Sequence, residues 1–289
     1  MARNILWLGA HKTGTTYLQK SLDLSQDALR THNVKYIELN AFRDKYTRPL
    51  INGRPGMTVA ANEFDTQGPG INLVFDENIP ALVQHVCTPE GVYCQGPERA
   101  RRMADHLELG TPTLVLGIRS FTGFLPSLYC ETLKANPFKP FRKFLRTPFE
   151  NLRWYPWVKA LQGAFPGAQM LVYQYENLRG QEQGLLSRIL GIPPQDFTLL
   201  EAVERPGFSH RAIRTLREMH KETKVEPKDL RDAVKRYPKG PKYSGFHPWN
   251  AAEKETLKQL YARDIADLQK DPTVNLLFSR SLENEMSNQ

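Results

Sequence analysis

Apolar residues recur with two different spacings along this chain, and the two kinds of segment alternate. Short apolar runs predict strands that are buried on both faces of a sheet. These runs are 5–8, 34–39, 71–75, 113–118 and 169–173. Segments with apolar residues at helical spacing predict helices. They are 15–22, 78–85, 97–109, 122–134, 152–164, 178–190, 208–220, 228–236 and 249–268. The alternation predicts an α/β fold with a central, mostly parallel sheet flanked by helices and a helical C-terminal third.

Three segments do not fit this alternation. The segment 41–70 is rich in proline and glycine and predicts a loop, with a short ordered stretch near 57–61. The segment 138–149 alternates phenylalanine with lysine and arginine. Its aromatic side chains either pack in the core with the cations in solvent, or form a docking surface for an anionic glycan or lipid headgroup. The polar end of the chain, 281–289, is predicted to fray.

The most informative stretch is the strand, loop and helix at 5–22. The loop after the apolar run contains His11, Lys12, Thr13 and Gly14, and the helix begins with Thr15 and Thr16. The first N–H groups of a helix have no acceptor within the helix, and the helix dipole favours negative charge there. Gly14 permits a close approach of the backbone to a ligand, Lys12 adds a positive charge and the threonines add hydroxyl donors. This stretch therefore predicts an anion-binding site.

The position of the lysine separates this loop from that of kinases. The kinase pattern is GxxxxGK[ST], with the lysine directly after the second glycine. Gly9 and Gly14 have that spacing, but Thr15 follows Gly14 and Lys12 precedes it. The string H-K-T-G-T-T instead resembles the 5′-phosphosulfate loop of sulfotransferases that use 3′-phosphoadenosine 5′-phosphosulfate (PAPS), above all bacterial, carbohydrate-type members. The resemblance implies a P-loop-like fold, PAPS as donor and the residues 11–16 as donor contacts.

A second segment extends the resemblance. Arg119 follows the strand 113–118, and Ser127 lies in the next helix, as in the sulfotransferase element that binds the 3′-phosphate. A guanidinium fork and a hydroxyl together hold a terminal phosphate at two points. Lys242, in the string KYSG, has the place of the family's basic loop over the donor, although the string departs from the family's Arg-Lys-Gly form. Ligands of such sheets bind at the carboxyl ends of the strands, so we expect Lys12 and Arg119 to meet there.

Sulfuryl transfer to a hydroxyl or amine also needs a base that receives the acceptor's proton. Glu77, which follows the strand 71–75, and Glu38, which ends the run 34–39, are the main candidates; Glu63 and His11 are lesser ones. The adjacent Asp76 can raise the pKa of Glu77, but Glu77 also fits the acidic start of a helix. We expect an in-line transfer in which Lys12 and the helix-start N–H groups stabilise the developing charge.

Composition adds the remaining expectations. The chain has 289 residues and a net charge of +8, which favours a polyanionic partner. Its three cysteines, without a metal-ligand spacing, favour a reducing compartment. No targeting or membrane-spanning pattern is evident, so a cytoplasmic location is expected, with peripheral contact to an anionic membrane surface left open. No metal site is predicted from His210, His220 and His247 because they lack ligand spacing.

We expect one sulfotransferase-like domain over 1–289, with a variable insert on the acceptor side at about 41–70 and a helical part at about 205–280. The acceptor is a glycan, a lipid headgroup or a small metabolite, and the pattern does not choose among them. Two other functions stay open: an atypical P-loop kinase that binds ATP with magnesium, and a non-catalytic protein that binds polyanions or nucleic acid. No nucleic-acid motif is present, so no nucleic-acid partner is expected.

Overall fold

A six-stranded sheet lies at the centre of the protein, a computed structural model of which describes residues 2–201 and 207–278. The strand order is β2-β3-β1-β6-β7-β8, and every neighbouring pair is parallel. The strands are β1 (Arg3–Gly9), β2 (Val34–Tyr36), β3 (Ile71–Phe75), β6 (Thr113–Ile118), β7 (Met170–Gln174) and β8 (Val274–Leu277). A separate antiparallel ribbon consists of β4 (Cys87–Thr88) and β5 (Gly91–Val92).

Helices cover both faces of this sheet, so the predicted α/β class is confirmed. They are α1 (Thr15–Leu24), α2 (Gln26–Thr31), α3 (Leu39–Phe42), α4 (Gly96–His106), α5 (Phe121–Thr132), α6 (Phe141–Phe144), α7 (Tyr155–Ala164), α8 (Glu182–Leu190), α9 (His210–Glu222), α10 (Pro227–Arg236) and α11 (Ala251–Lys270). A π-helical segment, Arg43–Ile51, continues from α3. None of the helices in the described ranges combines the length and the apolar character that a membrane crossing requires.

The core fixes the position of β1. Its side chains alternate between the two faces: Leu6 and Leu8 join the cluster under α4, α5 and α7, while Ile5 and Trp7 join the cluster under α1 and α8. All four are fully buried. Burial of each such side chain contributes roughly 1.5–3 kcal/mol to folding. Because β1 lies between β3 and β6, the loop after it emerges at the carboxyl edge of the sheet, next to the ends of both neighbours.

The helix predicted at 78–85 is wrong; only a short 3-10 turn, Val83–His85, forms there. The Asp76 carboxylate accepts the backbone N–H of Asn78 at 2.9 Å and starts a turn instead. The Arg99 side chain then donates to the carbonyl oxygens of Ile79 and Asn78, at 2.7 and 3.0 Å. A helix would have used those carbonyls for its own backbone bonds, so the competing side chains decide the conformation.

The loop predicted at 41–70 is wrong at its start. The backbone continues from α3 into the π-helical segment, which buries Tyr46 and Ile51 although Pro49 lies inside it. The strand β8 was also missed, because it follows the predicted helical third and only Leu277 among its side chains is fully buried. Residues 205–206 and 279–280 of the predicted helical part, and the predicted frayed end at 281–289, lie outside the described residues.

The aromatic residues of 138–149 pack inward. Phe138 and Phe141 are buried, and Phe144 is half-buried. Arg142 is exposed and donates to Glu253 at 2.8 Å. This arrangement fits the interpretation in which the aromatic side chains join the core and the cations face solvent.

Candidate active site

The loop between β1 and α1 has a backbone that only certain residues adopt easily. Gly14, the N-cap of α1, has φ of +88°, and Lys12 has φ of +62°. Both lie in the left-handed region, which favours glycine. A Cβ on Gly14 would also come within 2.7 Å of Leu178 Cδ2, so a side chain at this position would have to displace Leu178. The loop thus leads into the start of α1, whose first N–H groups have no acceptor within the helix.

Arg119, at the end of β6, is attached to this loop. Its Nη1 donates to the backbone carbonyl of Lys12 at 2.9 Å. Its guanidinium carbon lies 4.2 Å from the centre of the Tyr175 ring, and Trp154 Nε1 donates to its carbonyl oxygen at 2.8 Å. Burial lowers the pKa of Arg119, although an arginine keeps its charge in proteins. The two motifs predicted from separate parts of the sequence therefore form one structural unit.

A cavity of about 330 Å³ opens beside this unit. Three of the predicted binding residues line it: Lys12, Arg119 and Ser127. The rest of its wall consists of Thr122, Gly123, Pro126, Cys130, Glu131, Lys134, Gly207, Phe208, Lys239, Gly245 and Phe246. Among the residues that the structure describes, the wall thus carries four basic side chains and one carboxylate, and this imbalance favours an anionic ligand.

The carboxylate belongs to Glu131 and pairs with two of the lysines. Glu131 Oε2 lies 3.0 Å from Lys12 Nζ and 2.9 Å from Lys134 Nζ. Burial alone would raise the pKa of Glu131, but the charge of Lys12 and the bonds to both lysines outweigh it and lower the pKa. The Lys12 and Glu131 side chains are 29% and 34% exposed, so their pairing contributes about 0–1 kcal/mol to stability. Lys12 can exchange this partner for an anionic ligand at little cost.

The threonines of the loop differ in their access to a ligand. Thr13 is fully buried, and its Oγ1 donates to the carbonyl of Ala10 at 2.6 Å. Thr15 is also buried, whereas Thr16 is half-buried. The Tyr173 hydroxyl donates to the Thr13 carbonyl at 3.1 Å and so fixes the loop to β7. The Thr13 side chain therefore stabilises the loop itself. That the backbone N–H groups of Thr13, Thr15 and Thr16 contact the donor stays a prediction.

His11 points away from the cavity. Its Nδ1 and its backbone nitrogen lie 2.8 and 2.9 Å from the Tyr93 hydroxyl, and its Nε2 lies 3.0 Å from the Asn78 side-chain amide. When the Asn78 nitrogen donates to Nε2, the Asn78 oxygen accepts from Arg43 Nη2 at 3.1 Å, so both neighbours are satisfied. Burial lowers the pKa of His11. A neutral ring with its proton on Nδ1 fits these contacts.

Glu77 lies in the same buried group as His11. It accepts from Gln19 Nε2 at 2.9 Å and from Arg43 Nη2 at 3.0 Å, and it is only 9% exposed. Burial is the largest single influence and would raise the pKa of Glu77, but the charge of Arg43, the nearby His11 and the bond from Gln19 together lower it. The neighbouring Asp76 is affected in the opposite direction, because full burial raises its pKa despite Arg43. Glu77 is not part of the cavity wall, so its role as a base stays a prediction without a contact that supports it.

The other two predicted residues also lie off the cavity wall. Glu38 is exposed, and its carboxylate accepts the N–H groups of Asn40 and Ala41 at the start of α3, at 2.9 and 3.1 Å. Lys242 is exposed, with its Nζ 5.4 Å from the Tyr243 ring centre. Lys239 lines the cavity in its place, with its Cε 3.2 Å from the position that a Cβ on Gly245 would take.

Sequence reasoning missed three charged residues of the wall. Glu131 follows Ser127 at helical spacing on one face of α5, and Lys134 comes at the next such position, in the turn just after the helix ends. That spacing was available in the sequence and would have found both. Lys239 precedes Lys242 in the same basic stretch, and only the path of the backbone distinguishes the two. No set of three or more His, Cys, Asp and Glu side chains that could hold a metal ion occurs in the part of the chain that is described.

Comparisons with known proteins find similarity among solved structures. No family model matches the chain, and no curated protein sequence matches it. Among solved structures, the chain is similar to a sulfotransferase from Alicyclobacillus acidocaldarius, with a TM-score of 0.41 and 11% sequence identity. The match covers 92% of this chain and 96% of that chain. At this level of similarity, the neighbour says nothing about the residues of the cavity.

Proposed function

We propose that this protein is a sulfotransferase that moves a sulfuryl group from PAPS to a hydroxyl or amine of an acceptor. One observation carries the proposal. Lys12 and Arg119, which are 107 positions apart, line the same cavity, and Arg119 Nη1 donates to the Lys12 carbonyl at 2.9 Å. Each residue was predicted, from its own motif, to bind a different end of one nucleotide.

The charge of the cavity fits such a donor. PAPS carries a phosphosulfate at one end and a 3′-phosphate at the other. The described part of the wall offers Lys12, Arg119, Lys134 and Lys239 against Glu131, an excess of three positive charges from four bases and one acid. A ligand with a single phosphate would leave part of this charge unbalanced. The volume of about 330 Å³ lies at the lower end of the usual range for small-molecule sites, about 300–1,000 Å³.

The residues divide by position. Lys12 and the first N–H groups of α1 stabilise the charge that develops on the transferring group and on the leaving phosphate. Arg119 and Ser127 bind the 3′-phosphate through a guanidinium fork and a hydroxyl. Lys239 covers the nucleotide from the basic stretch, the role first given to Lys242. When bound, PAPS supplies the activated sulfuryl group.

The acceptor is a carbohydrate, a lipid headgroup or a small metabolite that bears a hydroxyl or amine. A carboxylate takes its proton as the new bond forms. Glu77 and Glu38 were proposed from sequence, but both carboxylates are already hydrogen-bonded to groups outside the cavity. A base that faces the cavity satisfies the geometric requirement better, because proton transfer needs hydrogen-bond reach.

Thermal unfolding with different ligands tests the donor. Adenosine 3′,5′-bisphosphate at 100 times its dissociation constant is expected to stabilise the protein by about 2.7 kcal/mol. Adenosine 5′-monophosphate at the same concentration should stabilise it much less, because it lacks the 3′-phosphate. Greater stabilisation by ATP with magnesium would favour the kinase instead, and greater stabilisation by an oligonucleotide would favour the polyanion-binding protein.

Radiolabelled transfer tests the reaction itself. PAPS labelled with ³⁵S is incubated with the protein and with glycan, lipid and small-molecule fractions of a cell extract. We expect label in one fraction, and no label when excess adenosine 3′,5′-bisphosphate is present. A protein that binds the bisphosphate but labels no fraction would contradict the proposed transfer reaction.

A further inference from the structure

We propose that Glu131, not Glu77 or Glu38, accepts the proton of the attacking hydroxyl or amine during sulfuryl transfer. This inference rests on the proposed function. It follows from the position of Glu131 on the cavity wall, its contact with Lys12 and the way in which a bound anion would change its surroundings.

The helix α5 presents the required face to the loop. It begins shortly after β6, and Ser127 and Glu131 lie one turn apart on the same side of it, while Lys134 lies in the turn that follows its end at Thr132. All three line the cavity. Glu131 Oε2 lies 3.0 Å from Lys12 Nζ, the group proposed to stabilise the sulfuryl group and the leaving phosphate. The Glu131 carboxylate therefore contacts the lysine that is proposed to stabilise the charge developing on the sulfuryl group and the leaving phosphate.

The other two candidate bases, Glu77 and Glu38, do not line the cavity. Within the described residues, Glu131 supplies the one carboxylate of the cavity wall. Glu77 is held by Gln19 and Arg43 in a buried group behind the loop. Glu38 is exposed at the start of α3 and binds two backbone N–H groups there. A general base must come within about 2.6–3.2 Å of the proton it receives, directly or through one water.

The electrostatics of the cavity make Glu131 a better base when the donor is present. Without a ligand, Lys12 and Lys134 keep its carboxylate ionised, and Lys239, Arg119 and Cys130 are the other charged or titratable groups on the wall. A bound bisphosphate or phosphosulfate attracts Lys12 and brings several negative charges close to Glu131. Like charge favours the protonated form of a carboxyl group, so the proton affinity of Glu131 rises. A base is most effective when its pKa approaches the working pH.

The proton and electron balance of the step is simple. The O–H bond of the acceptor breaks, and the proton passes to the Glu131 carboxylate. The electron pair of that bond stays on the acceptor oxygen, which forms the new bond to sulfur. The bond between sulfur and the bridging oxygen of the donor breaks, and its electron pair leaves with adenosine 3′,5′-bisphosphate. Glu131 then returns its proton to solvent.

The test compares Glu131→Gln with a matched control. The control is Glu218→Gln, because Glu218 on α9 also pairs with a lysine at i,i+3, Lys221, but lies on the protein surface. Two rates are measured with ³⁵S-labelled PAPS: transfer to the fraction that the wild type labels, and release of inorganic sulfate with water as the acceptor. We expect Glu131→Gln to lose both by about 10²–10⁴-fold, the usual contribution of a general base, and the control to keep them.

Binding separates this role from a structural one. Adenosine 3′,5′-bisphosphate should bind Glu131→Gln at least as tightly as it binds the wild type, because the substitution removes a negative charge from an anion site. A Glu131 that only neutralises Lys12 would give a variant with tighter binding and undiminished transfer, and this result would overturn the inference while leaving the sulfotransferase proposal intact. A wild-type protein that binds no bisphosphate would overturn both.

The pH profile gives an independent readout. In the wild type, kcat/KM should fall on the acid side as Glu131 becomes protonated, and this limb should be absent from the residual activity of Glu131→Gln. Glu131→Asp keeps the carboxylate on a shorter side chain, so it should retain more activity than Glu131→Gln and keep the acid limb. An acid limb that is identical in wild type and Glu131→Gln would also overturn the inference.

Discussion

Replacement of Lys12 by alanine separates the chemistry of the loop from its structure. The hydrogen bond from Arg119 reaches the backbone carbonyl of Lys12, so it survives the substitution. The left-handed backbone, with φ of +62°, carries a Cβ in either residue, so the strain is unchanged. The lost pair with Glu131 is partly exposed and contributes about 0–1 kcal/mol. Lys12→Ala should therefore fold with nearly the stability of the wild type.

Its activity should fall far more than its stability. Loss of one preorganised donor to a developing negative charge costs about 2.7–4 kcal/mol of transition-state stabilisation, or about 10²–10³-fold in turnover. The assay measures ³⁵S transfer at saturating PAPS, together with the free energy of unfolding from urea titration. Lys221→Ala, which breaks the surface pair with Glu218, is the control and should change neither. Turnover of Lys12→Ala within about fivefold of the wild type, far short of the ~10² expected, would refute the placement of Lys12 at the reacting group.

Three further predictions concern the same fold and site. Gly14→Ala should destabilise the protein by at least about 1–2 kcal/mol in urea unfolding, because its φ is +88° and a Cβ would lie 2.7 Å from Leu178. Arg119→Lys should weaken calorimetric binding of adenosine 3′,5′-bisphosphate by about 10-fold or more but change binding of adenosine 5′-monophosphate little, because lysine cannot form the guanidinium fork. Burial would raise the pKa of Asp271, but hydrogen bonds from Thr273, Gln162 and Lys159 together lower it from 3.8 to about 2. This carboxylate therefore stabilises the fold above pH 4, and the contribution disappears as the pH falls toward 2. Asp271→Asn should accordingly lower the free energy of unfolding at pH 7 and flatten its fall between pH 4 and pH 2.

The central sheet was predictable because its signal is local. The strands β3 and β6 were predicted with the bounds that the structure gives them, since buried parallel strands are continuous apolar runs. The segment at 78–85 was not predictable in this way. Its conformation depends on Arg99, which lies in α4 and donates to carbonyls of Asn78 and Ile79. A contact between residues about twenty positions apart leaves no trace in the period of either segment.

In the candidate site, too, local patterns were predictable from sequence and features that depend on distant contacts were not. Lys12 and Arg119 were predicted from two motifs that lie just past the ends of β1 and β6, and parallel strands bring their carboxyl ends to one edge. Glu77 also follows a strand, but the loop after β3 turns its carboxylate toward Arg43 and away from the cavity. Glu131 lies eleven residues after Ser120, the N-cap of α5. Whether its carboxylate reaches the cavity depends on which face of α5 packs against the loop between β1 and α1. Strand ends can be read from sequence, whereas the orientation of a helix depends on its packing.

The position of the lysine favours sulfuryl transfer over the kinase alternative for a structural reason. A kinase loop has its lysine directly after the second glycine, the position of Thr15 in this chain. Thr15 is buried at the start of α1, so a side chain there points into the protein rather than into the cavity. Lys12 instead leaves the loop with φ of +62° and reaches Glu131 on α5, on the side where Arg119 and Ser127 line the wall. The cation of this loop is therefore directed toward the site proposed for the 3′-phosphate nucleotide, and a nucleotide that bridges Lys12 and Arg119 accounts for both motifs at once.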